Sequence, residues 1–291
     1  MLRGLGHRVR SVTEWSGGDE DVLIALHARK SHASVASFHA QRPRCPIIVV
    51  LTGTDVYRDI RADDKARESL DLADRLVVLQ ERALEELAPR LRRKAQIVHQ
   101  SCATRLRHAP ARAKFRICVI AHLREEKDPF CAARALALLR NEPLIELVQV
   151  GAALDTQMEK EAREWQSRAP RYRWVGSVPH ARALRWLAAS HVTVVSSIME
   201  GGANVISEAV RVGVPVLASR ISGNLGMLGA RYRGYFETGD AKALARLIER
   251  CRTDSAYYRA LREAVTAKRA AFSVRGEIAA WRGVLGNLSS L

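Results

Sequence analysis

Ser196-Ser197-Ile198-Met199-Glu200-Gly201-Gly202-Ala203-Asn204-Val205-Ile206-Ser207-Glu208-Ala209 joins two kinds of sequence. Before it, Val192–Ser196 opens with Val-Thr-Val-Val, a run without alternation, as expected of a parallel strand covered on both faces. After it, Asn204–Val212 reads as a helix, followed by Gly213-Val214-Pro215-Val216 and another strand. A strand, a glycine loop and a helix in this order put a ligand site at the carboxyl end of a parallel strand. Gly201 and Gly202 let the backbone approach a ligand closely. The amides around Ala203, Asn204 and Val205 form a helix N-terminus, where an anion is favoured. Glu200, before the helix, can accept hydrogen bonds from hydroxyls at the mouth of the site. Glu208, four residues after Asn204, lies on the same helical face and can reach a second polyol. Two carboxylates on either side of a phosphate suit a nucleotide-sugar. A capped surface helix with solvated glutamates is the plainer alternative.

The same alternation runs through the chain. Strand candidates are residues 7–12, 22–26, 47–51, 76–79 and 96–98, then 116–120, 146–150, 172–175, 192–196 and 215–218. Helices are expected at 129–139, 156–169, 181–190 and 204–212. Repeated strand–helix alternation predicts an α/β fold with parallel sheets. Ser101–Lys114, polar and rich in Arg and Ala, divides the chain. Residues 1–100 form one expected unit, 101–114 a linker and 115–270 a second unit. Residues 271–291 add a terminal helix that packs back across the domains, with Ile278, Trp281 and Leu285 on one stripe.

A second motif follows the strand at 116–120: His122-Leu123-Arg124-Glu125-Glu126-Lys127-Asp128-Pro129. Pro129 suits the first turn of a helix. Arg124, with its fork of donors, and Lys127, a point charge, can both face a diphosphate. Taken by itself, this segment reads better as a solvated loop that caps a helix, since Arg-x-x-Lys is common; paired with the Glu200–Glu208 element it becomes specific.

Composition removes several classes. The chain has 291 residues, 47% hydrophobic and 27% charged, which fits two globular domains and excludes disorder. No apolar run approaches the ~20 residues of a membrane helix, and the first residues carry no secretory apolar region. The formal net charge of +16 comes from 39 Arg and 8 Lys against 31 acids. These cations form no stripe, and 5% aromatic residues offer no stacking platform, so nucleic acid is not the expected partner. Cys45, Cys102, Cys118, Cys131 and Cys251 show no Cys-x-x-Cys spacing; they read as core thiols in a reducing cytoplasm. Asp19-Glu20-Asp21 sits in a turn before a strand and is not expected to bind a metal. No phosphate loop of the Gly-x-x-x-x-Gly-Lys type and no Gly-x-Ser-x-Gly elbow occurs. Gly223, Gly226 and Gly229 read as a flexible site loop, and Trp165, Trp174 and Trp186 as core.

The Glu-x7-Glu element, the Leu-x-x-x-Lys loop and Gly-x-Pro-Val resemble the GT-B glycosyltransferases that use nucleotide-sugars. Leu51-Thr52-Gly53-Thr54-Asp55, His122–Pro129, Met199–Val205 and Ile221-Ser222-Gly223-Asn224-Leu225-Gly226-Met227-Leu228-Gly229 are similar to the selenosugar synthases of selenoneine biosynthesis. The resemblance implies two Rossmann-like parallel-sheet domains facing a central cleft. It implies UDP-N-acetylglucosamine as donor, selenophosphate as acceptor, a 1-seleno sugar as product, and neither a metal nor a cofactor. Glu208 would hold the ribose; Glu200 and the amides of Gly201, Gly202, Ala203, Asn204 and Val205 would hold the sugar. Arg124 and Lys127 would neutralise the leaving diphosphate. Members of the wider group often carry Arg before the loop Leu; this chain has His122 there, and Arg124 stands in.

On the acceptor side, His27, Arg29 and Lys30 follow a strand end and suit a small, multiply charged oxyanion, with His27 counted as catalytic. A core histidine satisfied by backbone is the alternative for His27. Gly53, Thr54 and Asp55 follow the next strand end. There Asp55 reads either as a base or cation ligand, or as a helix cap. The resemblance also implies a strand and glycine loop ahead of Leu2-Arg3-Gly4-Leu5-Gly6-His7-Arg8-Val9, central in the first sheet. Their lack predicts a truncated first domain, less stable and less active than an extended chain. Two other readings remain: a GT-B enzyme with a sugar, lipid or other oxygen acceptor, and a basic, non-catalytic nucleotide or nucleic-acid binder.

Overall fold

The structure, a computed structural model, describes residues 1–286. Residues 287–291 of the expected terminal segment lie outside the described residues. The chain divides into two compact units. The first holds Met1–Ser101, the tripeptide Glu200–Gly202 and the segment from Ser273; the second holds Cys102–Met199 and Ala203–Phe272.

The sheet of the first unit contains β1 (Leu23–Leu26), β2 (Ile47–Leu51), β3 (Arg75–Val78) and β4 (Ala95–Ile97), parallel and in sequence order. Ile47-Ile48-Val49-Val50-Leu51 is buried at every position because the sheet is covered twice. Ile47, Val49 and Leu51 join a core with Phe38 and Leu70, whereas Ile48 and Val50 join Val77, Leu79, Val98 and Val284 on the opposite face. The second face is covered from the far end of the sequence by the helix Val274–Gly286, whose Glu277 Oε2 accepts from Ser101 N–H at 2.7 Å. That helix packs through Ala280, Trp281, Val284 and Leu285. Ile278 does not belong to this cluster; the contact stripe is turned toward the small Ala280.

The expected strand at 7–12 is absent. Those residues carry no regular structure, and Val12 is exposed. Alternating basic residues there offer no face for burial. This coil is anchored later, by Trp15, which meets Phe38 edge to face at 5.1 Å and bonds through its N–H to Ser34 Oγ. In the expected Asp-x-Asp segment, Glu20 accepts from the Trp15 indole at 2.9 Å and pairs with Arg10.

The second unit is a six-stranded parallel sheet of β5 (Phe115–Ile120), β6 (Ile145–Val150), β7 (Tyr172–Trp174), β8 (Val192–Val195), β9 (Val216–Ser219) and β10 (Tyr235–Phe236). Its order is β10-β9-β8-β5-β6-β7. The order reverses between β5 and β8, the position at which open parallel sheets commonly bind their ligands. The helix expected from Pro129 begins at Cys131, because Asp128 adopts a left-handed turn at φ 40°. Residues 101–114 contain no helix or strand, yet His108, Ala109 and Ala111 donate backbone bonds to Val212, Ala188 and Ala189 of this unit. The cysteines are free; burial pushes the Cys102 thiol up to about 11 and those of Cys118, Cys131 and Cys251 up to about 12.

Val284 has no exposed surface. Val284→Ala should cost about 1.5–3 kcal/mol. It should also lower amide protection of Ile48, Val50 and Val77, measured by hydrogen exchange; unchanged protection at those strands would contradict the covering role of this helix.

Candidate active site

The loop after β5 is shaped by close backbone contact. Gly151, at the end of β6, has φ 149°, and a Cβ there would stand 1.9 Å from the carbonyl oxygen of Ala121. Leu123 is fully buried and bridges to Ala153, while the His122 ring accepts from Ala152 N–H through Nδ1 at 3.2 Å. Glu125–Lys127 then form a single 3-10 turn. The loop is stitched to the end of β8. Ser196 Oγ lies 3.0 Å from the Lys127 carbonyl and 2.8 Å from that of Asp128, and Ile198 N–H donates to the Glu126 carbonyl. Asp128 is held by Arg134 at 2.7 Å. Arg124 is exposed and makes no side-chain bond among the described residues.

Ser196 and Ser197 are buried at the end of β8, and Ser219 Oγ donates to the Ser197 carbonyl at 2.5 Å. The helix Asn204–Val212 begins with Ala203 in the cap position and has no side-chain cap. Among the described residues, the N–H groups of Asn204 and Val205 therefore stay available at a positive helix end. Glu208, one turn in, is only 9% exposed. Its Oε1 lies 2.7 Å from Nε2 of His180, which opens the helix His180–Ala188 and is itself exposed. Burial raises the Glu208 pKa, partly offset by the hydrogen bond from His180. His180 was not singled out from sequence, although Pro179-His180 at a helix start after β7 marks the same sheet end.

Glu200, Gly201 and Gly202 lie in the first unit. Their close approach is to the chain itself: a Cβ on Gly201 would meet the Thr52 carbonyl oxygen at 2.2 Å, and one on Gly202 the Leu79 Cβ at 2.8 Å. Glu200 is buried.

In the first unit, the loops after β1 and β2 meet around Asp55, which is fully buried. Its carboxylate accepts from the backbone N–H of Ala28 at 3.0 Å, Thr52 at 2.9 Å, Gly53 at 2.7 Å and Val56 at 3.1 Å. Four donors occupy the lone pairs that a base or cation ligand would use, so Asp55 is a brace between two loops. His27 is buried at a left-handed φ of 76°, with Nε2 2.8 Å from Thr54 Oγ1 and 3.7 Å from Asp59 Oδ2. Asp59, also buried, binds Arg58 Nε at 2.9 Å and was given no role from sequence; its spacing of four from Asp55 is the available signal. Arg29 is exposed and pairs with Asp63 at 2.7 Å. Lys30 is exposed, and its ammonium has no partner among the described residues.

The family pattern for glycosyl transferases group 1 matches residues 104–268, more than half of the chain. The chain belongs to that family. A Xenopus tropicalis relative, glycosyltransferase 1 domain-containing protein 1, is 27% identical over 203 residues, 62% of this chain and 59% of the relative. The match thus spans under two thirds of that relative's length. Among solved structures, Anabaena HepE in complex with UDP is similar with a TM-score of 0.76 and 18% identity, over 93% of this chain and 79% of that one. Sucrose-phosphate synthase from Thermosynechococcus elongatus gives a TM-score of 0.71 and 21% identity, over 93% and 74%. The pneumococcal O-GlcNAc transferase GtfA, in complex with UDP and GlcNAc, gives 0.74 and 15%, over 92% and 56%. At such identities the likeness establishes the fold, the GT-B arrangement of two Rossmann-like parallel-sheet domains.

Gly151→Ala should destabilise the second unit by about 2 kcal/mol or more, since both the φ angle and the Ala121 carbonyl oppose a side chain. A melting curve that matches the parent would show that the β5 loop does not depend on this contact. The Glu208 pKa is raised in the native state, so the group favours folding when protonated. That contribution is complete below the unfolded value of 4.5 and is lost as pH rises through the native one. Glu208→Gln should therefore melt above the parent at about pH 7.5, with the gap closing toward about pH 4; a gap independent of pH would refute the assignment.

Proposed function

We propose that the protein is a glycosyltransferase that moves N-acetylglucosamine from UDP-N-acetylglucosamine to selenophosphate, as in selenoneine biosynthesis, without a metal or cofactor. The observation that carries the donor half is Glu208. It is a buried carboxylate with a raised pKa, set behind an uncapped helix N-terminus at the point where the sheet order reverses. Such a site offers a hydrogen-bond acceptor for ribose hydroxyls and amide donors for phosphate oxygens. Similar folds have been solved with UDP and with UDP-glucose bound, which supports a uridine donor.

In this reading Glu208 exchanges its bond from His180 for the ribose. Glu200 and the amides from Gly201 to Val205 hold the sugar. Arg124 and Lys127 stabilise charge on the departing diphosphate. Selenium forms a bond to the anomeric carbon as the C1–O bond to UDP breaks, and that electron pair leaves with the β-phosphate. Water then cleaves the Se–P bond and releases phosphate. An anionic selenium nucleophile needs no base to remove a proton. The acceptor is supported by the strings Leu51–Asp55, Met199–Val205 and Ile221–Gly229, and by the oxyanion-suited loop after β1.

The test is UDP release from UDP-N-acetylglucosamine with and without selenophosphate, with mass analysis of products. Selenophosphate-dependent release with a seleno-sugar mass is expected. Glu208→Ala should weaken UDP binding about tenfold or more. Arg124→Ala and Lys127→Ala should lower turnover about a hundredfold. UDP binding that is lost in Glu208→Ala, with turnover only on a hydroxyl acceptor, would overturn the acceptor and keep the donor.

A further inference from the structure

The hydrogen bonds around His27 fix which of its nitrogens carries the proton. Lys30 N–H donates to Nδ1 at 3.3 Å, so Nδ1 presents a lone pair and the neutral ring holds its proton on Nε2. Nε2 lies 2.8 Å from Thr54 Oγ1 and therefore donates to it. The Thr54 hydroxyl consequently accepts from His27, and its own proton is left to give. No second side-chain partner takes that proton among the described residues, and Thr54 is partly exposed. The chain of donation thus runs from Lys30 N–H through the imidazole to the threonine hydroxyl, and ends in an unspent O–H.

Each charged group facing the ring is compatible with this direction. Asp59 Oδ2, 3.7 Å from Nε2, favours a proton there, and its other oxygen is bound by Arg58. Asp55 Oδ2 is 3.9 Å from Nδ1 and is occupied by backbone donors. His27 is also held in place at a cost. A left-handed φ is unusual for a residue other than Gly, Asn or Asp, and such strain persists only where the surroundings enforce it. Its own N–H bonds to the Val50 carbonyl at 2.8 Å, and its carbonyl accepts from Ser31 N–H at 3.0 Å. The Asp55–Asp59 segment that carries Thr54 at its start is a π-helical turn, a form frequent at functional sites.

We infer that Thr54, rather than His27, touches the acceptor, that His27 is its positioning residue, and that the pair selects an acceptor atom which is anionic and carries no proton. This rests on the acceptor-side reading given above and adds to it a specificity rule. A hydroxyl donor aimed by an imidazole rewards an oxyanion or its selenium analogue. A neutral alcohol meeting it gains one ordinary hydrogen bond and finds at Nε2 an N–H rather than a lone pair to take its proton, the Nδ1 lone pair being held by Lys30 N–H.

The experiment titrates selenophosphate, inorganic phosphate and, separately, UDP into the full chain by calorimetry. The variants are Thr54→Val, Thr54→Ser, His27→Asn and His27→Gln. Thr54→Val should weaken both anions about tenfold or more, and Thr54→Ser should restore them to near the parent value. His27→Asn accepts the left-handed backbone and so keeps the fold, but should lose the anions like Thr54→Val. His27→Gln, with an N–H near the Nε2 position, should recover part of the affinity. In turnover, the loss should appear in the acceptor KM more than in kcat. Parent-like anion binding in Thr54→Val, or a Thr54→Ser that fails as Thr54→Val does, overturns the proposal. A parent chain that binds UDP but neither anion also overturns it. Anion binding that follows the Thr54 series without any seleno-sugar product sustains this inference and overturns the proposed function.

Discussion

Asp55 is a carboxylate with no exposed surface in the middle of the first unit's loop cluster. A buried charge of this kind costs several kcal/mol unless it is fully bonded. Here four backbone N–H groups, from Ala28, Thr52, Gly53 and Val56, surround it. Those donors come from the ends of two neighbouring parallel strands, where the ladder stops and backbone groups need partners. The carboxylate is thus the substitute for a third element between the loops after β1 and β2. With Ala28 fixed by Asp55 and His27 N–H fixed by Val50, His27 has little freedom left, and its left-handed conformation follows.

The second unit solves the same problem with a hydroxyl. Ser196 at the end of β8 reaches the carbonyls of Lys127 and Asp128, which lie beyond the end of β5. This ties together the two connections that the sheet order would otherwise separate. The stitch uses the main-chain carbonyls of Lys127 and Asp128, and the exposed Arg124 side chain takes no part in it. Asp128 is consumed, by Arg134, and its left-handed turn delays the following helix to Cys131.

The apolar runs were legible because burial on both faces of a parallel sheet has a direct sequence signature. Ile47–Leu51 and Val192–Val195 show it, and so does the helix Asn204–Val212 with Gly213 at its end. Residues 7–12 failed because a few valines among arginines say nothing about a partner strand. Pro129 misled because the competing signal, a left-handed Asp128, has no strong mark in the sequence. The candidate site was legible as residue types, less so as roles. Asp55 reads alike as base or brace until its four donors are seen, and Gly201 reads alike as ligand contact or backbone contact until Thr52 is seen. His180 and Asp59 were passed over because their meaning comes from a partner 28 or 32 positions away, Glu208 or His27.

Two buried carboxylates therefore separate by how they are satisfied. Asp55 has spent its lone pairs on the backbone, and removing any of its donors would open the loops. Among the described residues Glu208 bonds to one side chain, that of His180, which is 66% exposed. Burial raises the Glu208 pKa, so the fold bears a cost to keep it there. A group held against its own solvation, with a partner that can leave, is suited to exchange that partner for a ligand hydroxyl. A group surrounded by fixed amides is suited to hold shape. The same distinction divides Thr54 from His27: the imidazole is bonded on both nitrogens, whereas the hydroxyl ends the chain with a proton still to give.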